Sequence, residues 1–222
     1  MTWIKICGTT SLDDAQLAID AGADALGFVF YENSPRHVDP EVARQIVRQL
    51  PAKVEKVGVC VDRSATQIRA LVDRVGLTAI QVHSTSENGD WLDELLSARE
   101  RLGVKKLIVA VPAIRLSFLE RATGNKMTSA LDAVLVDSAS ENKPGGTGKK
   151  FDWQSAQFDI QKLKVPVIVA GGLTLANVTE AMNVFHPFGV DVASGVEARP
   201  GKKDAQKVRA FIDAVRSADK GA

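Results

Sequence analysis

The chain alternates short apolar runs with longer segments in which apolar residues recur at roughly helical spacing. The runs are rich in β-branched residues and are almost continuously apolar, which is typical of parallel strands covered on both faces. This pattern predicts eight strands: Trp3–Cys7, Ala25–Phe30, Lys56–Val61, Ala79–Val82, Lys106–Val111, Ala133–Asp137, Val167–Ala170 and Val190–Ala193.

Helices are predicted between the strands. In the first helical segment, Ser11 is the expected N-cap and Gly22 follows the end. In the second, Pro40 occupies a favoured first-turn position. The segment around Leu116–Ala122 has the weakest helical pattern. The clearest helices are Ser11–Ala21, Pro40–Leu50, Ser64–Val75, Trp91–Arg101 and Asp204–Val215.

Eight strand–helix repeats in 222 residues allow two compact arrangements, an open doubly wound sheet and a closed barrel. The number of strands favours the barrel, and no Gly-x-Gly-x-x-Gly turn follows the first strand, as a dinucleotide-binding sheet would require. No linker rich in Pro, Gly or Ser divides the chain. We therefore predict an α/β fold with a single domain over residues 1–222, a (β/α)8 TIM barrel.

Charge and composition exclude several classes of partner. The 28 Lys and Arg residues are offset by 27 Asp and Glu residues, whereas proteins that bind nucleic acid usually carry a basic excess.

The sequence also argues against a membrane or secreted protein. No apolar run approaches the roughly 20 residues that span a bilayer, and the N-terminus lacks the pattern of a signal peptide. Two cysteines do not make a disulfide framework. We expect a reduced, cytoplasmic protein with neither nucleic acid nor membrane as a partner.

Two glycine-bearing turns follow the last two strands. Active sites of TIM barrels lie at the C-terminal ends of the strands, and the loops after strands seven and eight often bind phosphate. Gly171-Gly172 and Ser194-Gly195 occupy these positions. Glycine lets the backbone approach an anion closely. Either turn alone could be a simple tight connection, but the pair favours a phosphate site.

A further glycine-rich segment, Lys143–Lys150, precedes the seventh strand. It does not fit a nucleotide-binding P-loop, because Lys143 stands where that pattern needs glycine and Lys150 replaces its Ser or Thr. We interpret this segment as an active-site lid.

Motifs at successive strand ends can be compared together. They are Lys5–Gly8, Gly27–Phe30, Ser34–Val38, Gln81–His83, Leu135–Ser138, Gly145–Lys149, Phe151–Trp153, Pro166–Thr174, Val190–Glu197 and Pro200–Asp204. In this order the set resembles the phosphoribosylanthranilate isomerase family of tryptophan biosynthesis, over almost the whole chain. Each motif alone is weak, but the combination is specific. Ser84 and Ala193 depart from the family pattern, where glycine and serine are usual, without removing a catalytic group.

The resemblance implies an Amadori rearrangement of N-(5-phosphoribosyl)anthranilate to 1-(2-carboxyphenylamino)-1-deoxyribulose 5-phosphate, with no cofactor and no metal. It makes Cys7 the general base and Asp137 the general acid. A free cysteine of pKa about 8.5 is a few per cent thiolate at pH 7. An aspartate of pKa about 3.9 is almost entirely ionised. We therefore expect burial at the barrel mouth to raise the pKa of Asp137.

Three further residues are candidates for substrate binding. The resemblance and the chemistry of a guanidinium both place Arg36 on the anthranilate carboxylate. His83 either lines the pocket or is a structural hydrogen-bonding residue. Asp191 either orients or tunes the catalytic pair, or it is structural. Cys60, inside the third strand, is expected to be a core residue.

Other functions remain alternatives. A metal-dependent epimerase would need several His and Asp ligands at strand ends, and the chain has three His. A Schiff-base aldolase would need a strand-end lysine, commonly on the sixth strand, where this chain has Asp137. An inactive phosphate-binding scaffold would need neither Cys7 nor Asp137. The predicted partner is a small phosphosugar substrate, and the oligomeric state is open between monomer and homodimer.

Overall fold

A closed barrel of eight parallel strands forms the centre of the molecule. The computed structural model describes residues 1–86, 90–116, 131–137 and 153–221. Each strand pairs with the next along the chain, and β8 pairs with β1 to close the barrel. The strands are β1 (Trp3–Cys7), β2 (Ala25–Val29), β3 (Glu55–Val61), β4 (Ala79–His83), β5 (Lys106–Pro112), β6 (Ala133–Asp137), β7 (Val167–Val169) and β8 (Gly189–Val192). The predicted (β/α)8 fold is confirmed.

Every strand begins and ends within one residue of its predicted bounds. The reason is that both faces of each strand are covered, so that the apolar run and the strand have nearly the same extent. The burial of all five residues in β1, β2 and β6 illustrates this.

The described helices are α1 (Leu12–Asp20), α2 (Pro40–Val47), α3 (Ala65–Val75), α4 (Asp90–Ser97), α5 (Trp153–Lys162), α6 (Val178–Phe185) and α7 (Ala205–Lys220). The Ser11 side chain caps α1 by accepting a hydrogen bond from the Asp14 backbone N–H, as predicted. The fourth predicted helix is two elements, because a 3-10 helix over Arg99–Leu102 follows α4. None of the described helices combines the length and the apolar character needed to cross a membrane.

Helix α7 extends five residues beyond its predicted end at Val215. Its last turn is held by long-range contacts. Asp219 accepts hydrogen bonds from the backbone and the hydroxyl of Thr2, and Arg216 forms an ion pair of 2.7 Å with Asp24. The polar pattern of the last turn does not show these contacts, and therefore the sequence placed the end too early.

Two predictions concern residues that the structure does not describe. The proposed lid, Lys143–Lys150, lies outside the described residues, and so does most of the predicted helix Leu116–Ala122.

The barrel interior consists of an apolar layer, a polar layer and the barrel mouth. Residues such as Trp3, Ile108 and Ile168 fill the layer nearest the N-terminal ends of the strands. Lys5 and Asp191, one charged residue from each of two paired strands, are buried above that layer. Cys7 belongs to the next layer, at the mouth, because residues two apart on a strand share a face.

Candidate active site

A cavity of about 470 Å³ opens at the C-terminal ends of the barrel strands. Its size fits a small ligand rather than a macromolecule. It brings together residues that are far apart in the sequence and that were predicted as site residues: Cys7, Arg36, His83, Asp137, Gly171, Gly172, Asp191 and Ser194. Gly195 does not line the cavity directly. Its backbone lies against the turn after β7, where a Cβ would be 2.0 Å from the Leu173 carbonyl oxygen.

Cys7 ends β1 and is 7% exposed. Burial raises the pKa of its thiol, while the ammonium groups of Lys5 and Lys203 act in the opposite direction and the Asp191 carboxylate adds to the rise. Cys7 is therefore mostly a thiol in the resting protein, with a thiolate fraction below that of a free cysteine. Cys60 lies in the apolar core, as predicted, and burial raises the pKa of its thiol to about 12.

Asp137 ends β6 and is 7% exposed. Counted around the barrel, its strand is three positions from β1, so that Asp137 and Cys7 face the same cavity from different sides. This separation suits two groups that act on different atoms of one substrate. The expected rise in the pKa of Asp137 stays a prediction.

Lys5 lies directly below Cys7 on β1 and has no exposed surface. Its ammonium nitrogen donates hydrogen bonds to Oδ1 of Asp191 at 2.7 Å and to Oε1 of Gln81 at 2.8 Å. Burial favours the neutral amine, but the Asp191 carboxylate and Cys7 outweigh it and raise the pKa of Lys5. Lys5 is therefore a buried, charged and fully positioned ammonium group. The sequence analysis did not single it out, although a lysine on the inward face of an apolar strand was a visible signal.

His83 receives the next hydrogen bond of the same network. Gln81 uses its amide oxygen for Lys5, so that its NH2 group donates to Nε2 of His83 at 2.8 Å. Nε2 is then the acceptor, and the ring proton is assigned to Nδ1. Burial and the charge of Lys5 lower the pKa of His83 to about 4. His83 is therefore neutral near pH 7, and it both lines the cavity and belongs to a structural network.

The low pKa of His83 predicts a loss of stability in acid. Between pH 6.5 and about pH 4 the unfolded chain binds a proton that the folded protein excludes, so that stability falls as the pH falls. Because the ring is partly exposed to the cavity, we expect only about 1–2 kcal/mol between pH 7.5 and pH 5. Urea unfolding of the wild type and His83→Gln at both pH values measures this difference. An equal loss in the two proteins would contradict the prediction.

Arg36, from the loop after β2, is held by a carboxylate that the sequence analysis did not identify. Its Nε and Nη2 donate to the two oxygens of Glu197 at 2.9 and 2.8 Å. Lys203 donates to the same carboxylate at 3.2 Å and to the Cys7 carbonyl oxygen at 2.5 Å. Burial tends to raise the pKa of Glu197, but Arg36 and Lys203 lower it below its usual value. Two cations share one carboxylate, which leaves this side of the cavity suited to an anion.

Glu197 and Lys203 come from the C-terminal hairpin, β9 (Glu197–Arg199) and β10 (Lys202–Lys203). The hairpin follows β8 and precedes α7. Gly8, the residue after β1, lies against the other side of Arg36, because a Cβ on Gly8 would be 2.6 Å from the Arg36 Cδ. Gly8 also has a φ of +79°, a conformation that glycine adopts without strain. The backbone at residue 8 therefore helps to fix the path of the Arg36 side chain.

The two glycine-bearing turns lie side by side at the barrel mouth. Gly171 and Gly172 have φ values of +80° and +68°. The side chain of Asn177 fixes this turn, since its oxygen accepts from the Thr174 backbone N–H and its amide donates to the Gly172 carbonyl. The turn after β8 continues as a 3-10 helix over Ser194–Val196. Both turns are partly exposed, and their glycines let an anion approach the backbone closely, so that together they form a suitable site for a phosphate group.

The comparisons with known proteins agree on one family. Residues 4–214 match the family described as N-(5'phosphoribosyl)anthranilate (PRA) isomerase. An N-(5'-phosphoribosyl)anthranilate isomerase from Pelobacter propionicus is 43% identical over 213 residues, which are 96% of this chain and 94% of that relative.

Solved structures give the same result. The crystal structure of phosphoribosyl anthranilate isomerase from Thermotoga maritima is 36% identical, with a TM-score of 0.83, and the match covers 98% of this chain and 100% of that one. A crystal structure of phosphoribosyl anthranilate isomerase in complex with reduced 1-(o-carboxyphenylamino)-1-deoxyribulose 5-phosphate is 35% identical, with a TM-score of 0.80 and the same coverage. On this agreement of sequence and fold, the chain belongs to the N-(5'-phosphoribosyl)anthranilate isomerase family.

Proposed function

We propose that this protein converts N-(5'-phosphoribosyl)anthranilate into 1-(o-carboxyphenylamino)-1-deoxyribulose 5-phosphate by general acid–base catalysis, as a step of tryptophan biosynthesis. The observation that carries the proposal is the position of Cys7 and Asp137 on different sides of one cavity, with the glycine turns at its rim. A relative of known structure binds a reduced form of that product.

The first step opens the sugar ring. Asp137 donates its proton to the furanose ring oxygen, and the bond from C1′ to that oxygen breaks. The lone pair of the anthranilate nitrogen forms a C1′=N double bond as the ring opens, which leaves a protonated Schiff base. The side chain of Asp137 ends as a carboxylate. The positive charge required for the next step is thus generated on the substrate itself.

The second step removes the proton from C2′. The Cys7 thiolate accepts this proton, and the electrons of the C–H bond form a C1′=C2′ double bond that neutralises the Schiff base. The product of this step is an enolamine. It gains a proton at C1′ and loses one from the 2′-hydroxyl to give the ketone. Cys7 ends as a thiol and Asp137 as a carboxylate. One net proton transfer from the Cys7 thiol to the Asp137 carboxylate restores the starting state of the enzyme.

Two groups of residues orient the substrate. We assign the phosphate to the turns of Gly171-Gly172 and Ser194-Gly195, because Gly171, Gly172 and Ser194 line the cavity and the backbone N–H groups of such turns are suited to binding phosphate. We assign the anthranilate carboxylate to Arg36. Its guanidinium has five N–H donors, and Glu197 occupies two of them. Binding at both ends would hold the reacting C1′ and C2′ atoms between the acid and the base.

The remaining functional expectations stay proposals. We propose that residues 1–222 form one domain, that the protein works in the cytoplasm on a small phosphosugar without nucleic acid, and that it is a monomer or a homodimer. Sedimentation velocity at micromolar concentration distinguishes the two states.

An activity assay tests the proposed function directly. Purified protein is mixed with phosphoribosylanthranilate generated in situ, without added metal, and the decay of its anthranilate fluorescence is followed. We expect rapid decay with the wild type and with Cys60→Ala, because Cys60 lies in the core, away from the cavity. A folded wild type that does not accelerate the decay would contradict the proposal and favour an inactive phosphate-binding barrel.

A further inference from the structure

We propose that Lys5 is a positioning residue for the reaction, and that its buried ammonium group is the counter-ion of the Cys7 thiolate. Asp191 and Gln81 hold this ammonium beneath the reacting sulfur. The inference rests on the proposed role of Cys7 as the general base. It assigns to Lys5 the stabilisation of the Cys7 thiolate, which an apolar barrel would otherwise disfavour.

The barrel geometry directs both side chains into one space. Lys5 and Cys7 are two residues apart on β1 and therefore point to the same, inward face. Cys7 is paired with Gly27 on β2. A Cβ at Gly27 would lie 2.8 Å from the Cys7 Sγ and 3.0 Å from the Lys5 Cε. The absence of a side chain at Gly27 thus creates the space that the thiol and the lysine stem share.

The hydrogen bonds of Lys5 fix its charge as well as its position. Asp191 and Gln81 together accept two of its three N–H bonds, at 2.7 and 2.8 Å. A buried ion pair of this kind is a poor source of stability, because the desolvation of both charges offsets most of their attraction. A well-packed pair of apolar residues would serve the fold at least as well. Stability therefore does not explain the buried charge of Lys5, whereas stabilisation of the neighbouring Cys7 thiolate does.

The electrostatic balance around Cys7 supports the same assignment. Three charged groups act on the thiol, namely Lys5 on β1, Asp191 on β8 and Lys203 on β10. The other titratable groups that line the same cavity are His83 on β4, Asp137 on β6, Tyr31 and Arg36. Lys203 is shared with Glu197, and His83 is neutral. When Cys7 loses its proton, the thiolate adds a second negative charge next to Asp191. Lys5 is the cation that contacts Asp191 and acts on the thiol at the same time.

The pKa of the Cys7 thiol tests this role without any substrate. The chain has two cysteines, and Cys60 is fully buried with a pKa raised to about 12. The pH dependence of alkylation by iodoacetamide therefore reports on Cys7. All variants are made in the Cys60→Ala protein, in which Cys7 is the one remaining cysteine. We expect Lys5→Met to raise the pKa of Cys7 by at least one unit, the size of shift that one nearby charge produces. Asp191→Asn removes the opposing negative charge and is expected to lower it.

A second comparison keeps the test valid if Lys5→Met does not fold. Lys5→Met leaves the Asp191 carboxylate buried without its partner, whereas the double variant Lys5→Met/Asp191→Asn removes both charges. We expect the pKa of Cys7 to be at least one unit higher in the folded double variant than in Asp191→Asn. Equal values in these two proteins would overturn the role of Lys5.

Kinetics separate an electrostatic role from a structural one. In Lys5→Met or the double variant, kcat/KM should fall at least tenfold at pH 7 and recover toward the reference value as the pH is raised, since the thiolate then forms without help. A loss that is uniform with pH would overturn the inference. A shifted thiol pKa in a protein with no isomerase activity would support the role of Lys5 and contradict the proposed function. Isomerase activity with an unshifted thiol pKa would overturn the role of Lys5 alone.

Discussion

Asp137→Asn is expected to lower kcat/KM by about 10²–10⁴-fold, the usual contribution of a general acid or base. Asparagine has almost the same shape as aspartic acid, but it has no acidic proton to give to the ring oxygen. The cavity, the phosphate turns and Arg36 should stay in place, so that KM changes little. Stopped-flow fluorescence at several substrate concentrations separates the effect on kcat from the effect on KM.

Cys7→Ala should produce a loss of the same order through the second step. Two matched changes serve as controls, Asp213→Asn on the exposed side of α7 and Cys60→Ala in the core. Both should retain activity close to the wild type.

The double variant Asp137→Asn/Cys7→Ala should lose much less activity than the product of the two single losses, because the two groups act on one reaction path. A folded Asp137→Asn variant with more than a tenth of wild-type activity would show that another group supplies the proton.

Gly195→Ala is expected to raise KM at least tenfold with a smaller effect on kcat. A Cβ at this position would lie 2.0 Å from the Leu173 carbonyl oxygen and 3.2 Å from the Thr174 Cα. Both are backbone atoms, so that the turns after β7 and β8 must separate. Loss of one or two charge-assisted hydrogen bonds to phosphate costs roughly 1.5–3 kcal/mol each, which is at least a tenfold change in affinity.

Inhibition by inorganic phosphate provides the direct measurement. It should be competitive in the wild type and much weaker in Gly195→Ala. Gly221→Ala is the matched control, because its Cβ would meet its nearest neighbour at 3.8 Å, an ordinary contact. Melting curves of the three proteins reveal any general loss of stability. Unchanged phosphate inhibition in a folded Gly195→Ala would place the phosphate elsewhere in the cavity.

The fold was predictable because its main signal is local. Each barrel strand is an apolar run bounded by helix caps and glycines, and eight such runs close into a barrel only in a few ways. The location of Cys7 and Asp137 at the barrel mouth was predictable too, since both residues end a strand and the C-terminal ends of all eight strands meet at one mouth. The family resemblance supplied their roles.

The partners of these residues were not predictable in the same way. The Lys5–Asp191 contact joins positions 186 residues apart, and the Arg36–Glu197 contact joins positions 161 residues apart. No periodicity relates such positions, because strand closure and the C-terminal hairpin bring them together. The end of α7 was predicted too early for the same reason, since Thr2 and Asp24 hold its last turn.

The amino-acid pattern by itself therefore determined the barrel and the end of the barrel that carries the chemistry, and the family resemblance of the strand-end motifs indicated the two residues proposed to move protons. Only the tertiary structure decided which charges surround them. The pKa of Cys7 depends on its burial and on its distances from Lys5, Asp191 and Lys203. Desolvation and Coulomb interactions are properties of the folded arrangement, because they vary with position and separation and not with order along the chain.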